Sequence, residues 1–419
     1  MRMAASAPEY FFSNKLRHVR PYYRTYKTPV KGRWLDRTLV EVYTEDLHHN
    51  QDRTEKQIHN GGIYILQNHG QKTGSARVSG WDNLSQRRLQ RHDIVCNLAH
   101  IHEPSVPYME SEVVYEDDDL YVVNKPSGIP THPTGSFFYN SMTEILKSNS
   151  ADVSSNIFLP CHRLDRATSG ILILAKHSKA AAQFAVNSKT SNVAPKKEYL
   201  ARVMGKFPEG TYTVMAPIFN LNAAGGFIGQ SNSSQLPADS TTEFTRLQYS
   251  SELDQSVVLC KPITGRTHQI RIHLRNVGHP IVNDPFYNEN IASDSTKINN
   301  SIELELYSRI NHIYPQFNTL LTGTALEQEY IPPATINFPS ITRFDSDNEL
   351  QTKLSELKAL KQEEFAKSKN AGGVCPECNQ QTHEERSVET MNIWLHSYRY
   401  SYERGDKRFE TSLPDWYHV

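Results

Sequence analysis

The longest apolar run in this chain of 419 residues is Ile171-Leu172-Ile173-Leu174-Ala175, entered through Gly170. A five-residue aliphatic run opened by glycine predicts a short buried strand. It is far below the roughly 20 residues that a membrane-crossing helix needs. The chain must therefore build its core from short elements brought together over long distances. At this length it is expected to hold two or three domains, with enough surface to bury a core without disulfides or metals.

Around this run the pattern predicts mixed helix and strand. Val113-Val114-Tyr115 and Leu120-Tyr121-Val122-Val123 flank the turn Glu116-Asp117-Asp118-Asp119 and read as a hairpin. A helix is expected from Ser178 to Ser188, and strands are expected around Tyr199–Val203, Thr242–Leu247 and Val257–Cys260. A further helix, about Thr267–Val277, ends at Gly278 and Pro280. The expected organisation is a basic arm at 1–35, a small α/β module at 36–105 and a catalytic domain at 110–340. The stretch 288–345 lacks a clear period and reads as an insertion or extension, and 346–419 reads as a helical C-terminal extension. The fold class is α+β, with a central mixed, mainly antiparallel sheet.

Charge is balanced overall, with 45 Lys and Arg against 46 Asp and Glu, a formal net charge of -1. That excludes a uniformly basic nucleic-acid coat, so anion binding must come from local concentration. From Gln255 to Asn283 there is no carboxylate. His268, Arg271 and Arg275 share one face of the expected helix, while Ile270, Leu274 and Val277 share another. A basic face without acidic partners is expected to meet an anion, and backbone phosphate is the commonest candidate. The first 35 residues carry Arg2, Lys15, Arg17, Arg20, Arg24, Lys27 and Lys31 against Glu9, as an RNA-contacting arm or a solvated start. An odd number of cysteines, five, points to a reducing compartment, with the cytoplasm the default and a mitochondrial or nuclear pool open.

Four segments carry the chemistry. In Cys161-His162-Arg163-Leu164-Asp165-Arg166-Ala167-Thr168-Ser169-Gly170 an Asp stands between two Arg before the buried strand. Guanidinium neighbours favour an ionised carboxylate, which suits a nucleophile or electrostatic stabiliser. The others are Asn124-Lys125-Pro126-Ser127-Gly128-Ile129-Pro130-Thr131-His132-Pro133, Lys196-Lys197-Glu198-Tyr199-Leu200-Ala201-Arg202, and Gly265-Arg266-Thr267-His268-Gln269-Ile270-Arg271. On charge pattern alone, a surface ion pair, a structural turn, a half-buried Tyr and a solvated helix face would explain them one by one.

Taken in order, these segments resemble the RluA-type pseudouridine synthases, over roughly Val113 to Tyr287. The resemblance implies a cofactor-independent isomerisation of uridine in RNA. It assigns the catalytic carboxylate to Asp165, the residue packed on the target base to Tyr199, and the partner of the Asp to Arg271. It places Arg163 in the gap left by a flipped nucleotide, and it offers Arg166, Lys125, His132, Lys197, Arg266, His268, Ile270 and Arg275 as substrate contacts. Pro21-Tyr22-Tyr23, Gly32-Arg33-Trp34, Glu103-Pro104, Cys375-Pro376-Glu377-Cys378 and Ile393-Trp394-Leu395-His396-Ser397 are similar to eukaryotic members, including fungal enzymes acting on uridine 32 of the tRNA anticodon loop. Residues 36–100 stand where the family often has a small RNA-binding module. Here, though, Asp46 to Asn60 is polar, and His92-Asp93 replaces Gly-Asp.

The expectation is a monomer acting on RNA, tRNA foremost, with no membrane and no small-molecule cofactor. Ribosomal or mitochondrial RNA is the rival substrate, and a catalytically idle RNA-binding scaffold is the rival class. A deaminase zinc site needs His-x-Glu upstream of Pro-Cys-x-x-Cys. His383-Glu384-Glu385 lies downstream, and no Pro precedes Cys375, so that activity is rejected. A structural zinc on Cys375, Cys378, His383 and His396 would need more than one CxxC for support, and the expectation is no metal.

Overall fold

The computed structural model describes residues 8–67, 75–150, 157–190, 196–216, 240–313, 347–370, 372–402 and 407–419, with short pieces at 218, 220–221 and 227–228. No helix among them is long and apolar enough to cross a membrane. The chain divides into two compact units. The first holds Met1–Glu9, Arg20–Glu103 and Pro376–Cys378; the second holds Tyr10–Val19, Pro104–Cys375 and Asn379–Val419.

The first unit is built on a four-stranded antiparallel sheet of β1 (Tyr22–Pro29), β2 (Ile63–Gln67), β3 (Ala76–Val78) and β4 (Ile94–Ile101), in the order β1-β4-β2-β3. Alternation along β2 sends Ile63 and Ile65 into a core with Trp34, Leu39, Val42, Ile58 and Leu84. The polar stretch after Asp46 contains a helix, α1 (Gln51–His59), with Asn50 accepting a capping bond from the Arg53 amide. Only Thr54 and Ile58 of α1 are buried, so its apolar stripe is too narrow to stand out in the sequence. Asp93 is a structural acid, receiving two parallel bonds from Arg87 at 2.7 and 2.9 Å.

Residues 10–35 are ordered strand and turn instead of an arm. Tyr10–Ser13 and Leu16–Val19 form a hairpin whose tip residues, Asn14 and Lys15, both have positive φ. β1 pairs with β4 along its whole length.

In the second unit a large sheet carries β5 (Glu112–Glu116), β6 (Leu120–Lys125), β7 (Ser169–Ala175), β8 (Lys196–Met204), β9 (Thr211–Met215), β10 (Thr241–Ser250), β11 (Gln255–Pro262), β12 (Leu395–Tyr402) and β13 (Lys407–Glu410). Its order is β9-β10-β11-β8-β12-β7-β6-β5, with β13 paired to β12. Its pairings are antiparallel except the contact of β7 with β12, so the sheet is mixed and mainly antiparallel. β7 is buried on both faces: Leu172 and Leu174 pack with Ile145 and Leu274, while Ile171 and Ile173 pack with Val122 and Phe184. Gly170 explains how the parallel pair closes. Its φ is 110°, and a Cβ there would overlap the carbonyl oxygen of Ser397.

Helices α2 (Met142–Asn149), α3 (Ser178–Thr190), α4 (Gln269–Asn276), α5 (Asp294–Ile313) and α6 (Asn348–Asn370) complete the unit. The start of the weakly patterned stretch 288–345 is thus helical, while 314–346 lie outside the described residues. Ion pairs join α5 to the α6 region, Arg309 to Asp347 at 2.5 Å and Lys353 to Glu305 at 3.2 Å. The α-helix of the C-terminal extension ends at Asn370, and beyond it only short 3-10 turns at Val388–Met391 and Asp415–Tyr417 are helical among the described residues. Between those turns β12 enters the large sheet between β7 and β8, so that sheet is completed by residues about 200 positions further along the chain.

Candidate active site

Four separate segments of the second unit meet at one open cleft of about 270 Å3, with Leu395 of β12 adding an apolar wall to three polar segments. The turn before β7 supplies His162, Arg163, Leu164, Asp165 and Thr168; β8 supplies Lys197 and Tyr199; the turn into α4 supplies Arg266, His268, Ile270 and Arg271.

The Asp165 turn is held by backbone bonds. Thr131 Oγ1 donates to the Leu164 carbonyl at 3.1 Å and accepts from the Leu164 amide at 3.2 Å. The Gly128 amide donates to the Arg166 carbonyl, and the Thr168 amide to the Asp165 carbonyl. Lys125 completes the support. It is fully buried, and its Nζ donates to the carbonyls of Pro126, Ile129 and Arg166 at 2.7, 2.9 and 3.4 Å. Burial pushes its ammonium down to about 7. Two bends in the Pro/Gly segment thereby fix where Asp165 projects.

Tyr199 is positioned by an irregularity. The β8–β12 register shifts between Glu198 and Tyr199. Such a bulge re-aims the side chain beside it. Only 9% of Tyr199 remains exposed, and burial pushes its phenol up to about 12, so it stays protonated at neutral pH. Beneath the turn, the His162 ring accepts a bond from the Ile173 amide at 3.2 Å. Burial holds this imidazole neutral, down to about 3.

Arg271 approaches Asp165 to 3.7 Å, and His268 Nε2 stands at the same distance. The main partner of Arg271 is Asp284, fully buried, which accepts from Nε at 2.7 Å and Nη2 at 2.8 Å. This two-bond fork fixes the guanidinium plane. His268 has a left-handed backbone, φ 58°, uncommon for a non-glycine residue and often found at functional sites. Burial and the Arg271 charge lower its imidazole, and its Nδ1 lies 2.8 Å from the Tyr287 hydroxyl. Gln269 locks the turn: its Oε1 accepts from Thr264 Oγ1 and the Arg266 amide, and its Nε2 donates to Thr241 and Thr242.

A profile of the family described as RNA pseudouridylate synthase matches residues 119–276, the span from β6 through α4. The chain is also 34% identical to the tRNA pseudouridine(31) synthase of Saccharomyces cerevisiae, across 97% of both proteins. It belongs to the RluA-type RNA pseudouridine synthases. Two other relatives are the rice RNA pseudouridine synthase 7, 30% identical over 98% of this chain and 93% of that protein, and the S. cerevisiae mitochondrial tRNA pseudouridine(32) synthase, 36% identical over 67% of this chain and 57% of that protein. The synthase is thus an intramolecular isomerase of uridine in RNA, with an α+β fold.

Eight of the residues singled out in the sequence line the synthase's cleft: Arg163, Asp165, Lys197, Tyr199, Arg266, His268, Ile270 and Arg271. Four do not. Lys125 is sealed beneath the Asp165 turn, where substrate cannot reach it. Arg275 is buried and ion-paired, its Nη1 donating to Glu303 at 2.7 Å and to Asn300 at 2.9 Å. Arg166 sits over the Phe137 ring, 5.7 Å from its centroid, and His132 is exposed outside the lining. Both arginines of the basic face of α4 therefore meet buried protein carboxylates, and His268 of the same face stands 3.7 Å from Asp165. Asp284 lies one residue beyond the carboxylate-free stretch, and Glu303 comes from α5. Sequence reasoning passed over Asp284, Tyr287 and Glu303. The signal for Asp284 was its place as the first acid after the basic helix.

Proposed function

We propose that this synthase converts one uridine of a tRNA to pseudouridine, with Asp165 as the catalytic carboxylate. The observation that carries the reading is convergence: Asp165, Tyr199 and Arg271, from segments far apart in sequence, line one cleft. Isomerisation breaks the N1–C1′ bond, turns the uracil and joins C5 to C1′; C5 loses a proton and N1 gains one. No redox partner enters that balance. A stacked base is out of reach, so the nucleotide must be flipped out, at least cost from a loop.

Asp165 acts at C1′, as nucleophile or as the negative charge that stabilises the sugar when the glycosidic bond opens. Arg271, held in plane by Asp284, orients Asp165. Tyr199 forms the floor for the uracil. Its protonated phenol serves as a donor, and proton removal from C5 passes through it only alongside an acceptor. Arg163 and Arg266, exposed at the cleft, meet phosphates or the vacated stack. We place the reaction in the cytoplasm, on a monomer.

For the position, the sequence pointed to uridine 32. The likeness across 97% of both chains to an enzyme named for position 31 favours uridine 31, with 32 the second reading. Wild-type protein and Asp165→Ala, assayed on unmodified tRNA transcripts with single-nucleotide mapping, test all of this. Pseudouridine at 31 from wild type, and a loss of at least about 10³-fold in the variant, is expected. Product at another nucleotide would reassign the site. Undiminished activity in Asp165→Ala would remove Asp165 from catalysis, and tRNA binding without product would leave a scaffold.

A further inference from the structure

At the end of β4 the sequence reads His100-Ile101-His102, and strand parity sends both imidazoles to the same side. Against them stands the turn Cys375-Pro376-Glu377-Cys378, of which Pro376–Cys378 belongs to the first unit together with β4. One donor atom from each of His100, His102, Cys375 and Cys378 lies within 4.8 Å of all the others. His102 Nε2 is 3.3 Å from Cys378 Sγ. Bond lengths of about 2.3 Å to sulfur and 2.0–2.1 Å to nitrogen imply about 3.5 Å between such atoms on a tetrahedral zinc.

The turn is shaped as a ligand-bearing knuckle. The Asn379 amide donates to the Cys375 carbonyl at 2.9 Å, and the Cys375 amide donates to the Gln380 carbonyl at 2.9 Å. Asn379 takes the left-handed conformation, φ 54°, one of the few non-glycine types that do so readily. The two cysteine sulfurs lie within 4.8 Å of each other. The outer groups are also in place. Tyr23 stacks on His100 with centroids 4.6 Å apart, and its hydroxyl donates to Glu377 Oε1 at 2.8 Å. Glu377 Oε2 lies 3.5 Å from His100 Nε2. A carboxylate facing one ring nitrogen orients an imidazole so that the other can bind metal.

We propose that His100, His102, Cys375 and Cys378 bind one zinc ion as a closed, structural Cys2His2 site that fastens the CxxC turn to the end of β4. Two thiolates and two imidazoles in a four-donor group suit zinc above the harder cations. None of the four lines the cleft, so the ion's work is to hold structure. The sequence expectation is no metal, and two of these four differ from the set Cys375, Cys378, His383 and His396 weighed from the sequence. His396 is instead held between Ser169 Oγ at 2.8 Å and Thr411 Oγ1 at 2.6 Å, and His383 is not part of the group. This inference stands on donor geometry and does not depend on which nucleotide is modified.

The test uses the untagged full-length protein. Elemental analysis should find about one zinc per chain, and refolding with cobalt should give the visible bands of a tetrahedral thiolate site. Cys378→Ser and His102→Ala should lose the bound zinc, while His102→Cys and the control His383→Ala should keep it. If the losing variants fail to fold, the wild-type cobalt spectrum decides. Absence of both zinc and the cobalt bands from wild type would overturn the proposal. So would a Cys375–Cys378 disulfide in the native protein, or full zinc retention in both Cys378→Ser and His102→Ala.

Discussion

Arg271 gives its two parallel hydrogen bonds to Asp284, at 2.7 and 2.8 Å, and stands 3.7 Å from Asp165. One guanidinium thus joins a buried carboxylate, which fixes it, to a partly exposed one, which faces the cleft. On the proposed reaction, Asp284 would act as a positioning residue, through Arg271.

Asp284→Asn should separate these two functions. Asn keeps one acceptor oxygen and loses the charge, so the fork opens and Arg271 is left buried without full compensation. Breaking a buried pair costs about 3–5 kcal/mol, read by urea unfolding. A displaced Arg271 should also slow pseudouridine formation by about 10²-fold under conditions where the variant is still folded. Unchanged rate and stability would show that the fork has neither role.

Arg275 and Arg163 should behave oppositely. Arg275→Ala removes the ion pair of the buried Glu303 and is expected to cost about 3–5 kcal/mol without altering the salt dependence of RNA binding. Arg163→Ala, at an exposed position in the cleft, should leave stability unchanged and reduce the slope of log affinity against log salt by about 1. Filter binding across a salt series and denaturant melts distinguish them. A reversed pattern would return Arg275 to the RNA interface.

Stability should fall on mild acidification. Burial pushes the imidazoles of His162, His273 and His396 down to about 3, 4 and 4, whereas an unfolded His titrates near about 6.5. Between those values the unfolded chain binds more protons than the folded one, so stability rises with pH. This contribution is complete above about 7, is lost progressively as pH drops from about 6.5 toward 4, and levels off below the folded values. Urea midpoints at pH 7, 6 and 5 should decline in that order. His273→Gln should flatten the decline; an unchanged slope would exclude His273 as a source.

Gly170→Ala tests the junction of β7 and β12. The added Cβ meets backbone at Ser397, and φ 110° is strained for any L side chain. A loss above about 3 kcal/mol, or insoluble expression, is expected. A protein as stable as wild type would mean that the two strands can separate at this point.

The motif segments, the hairpin around Asp117 and the buried strand at Ile171–Ala175 were legible because each depends on residues close in sequence. Asp165, Tyr199 and Arg271 were singled out through ordered local motifs, and all three line the cleft. Arg275 and Lys125 were misassigned for one reason. A cation's role depends on what faces it, and Glu303 and the Ile129 and Arg166 carbonyls reach them through folding. The bulge at Glu198–Tyr199 was invisible because it is a mismatch between β8 and β12, distant strands whose pairing no local pattern records.

By itself, the sequence determined the family and the class of reaction, and it singled out most of the polar side chains that line the cleft, since these follow from short spacings and residue identity. Only the tertiary structure decided which charges are neutralised, that the strand at 395–402 completes the large sheet, and that two histidines near residue 100 meet a CxxC near 375. Those relations are set by burial and by closure of long loops, where the energy lies in contacts between segments that the linear order keeps apart.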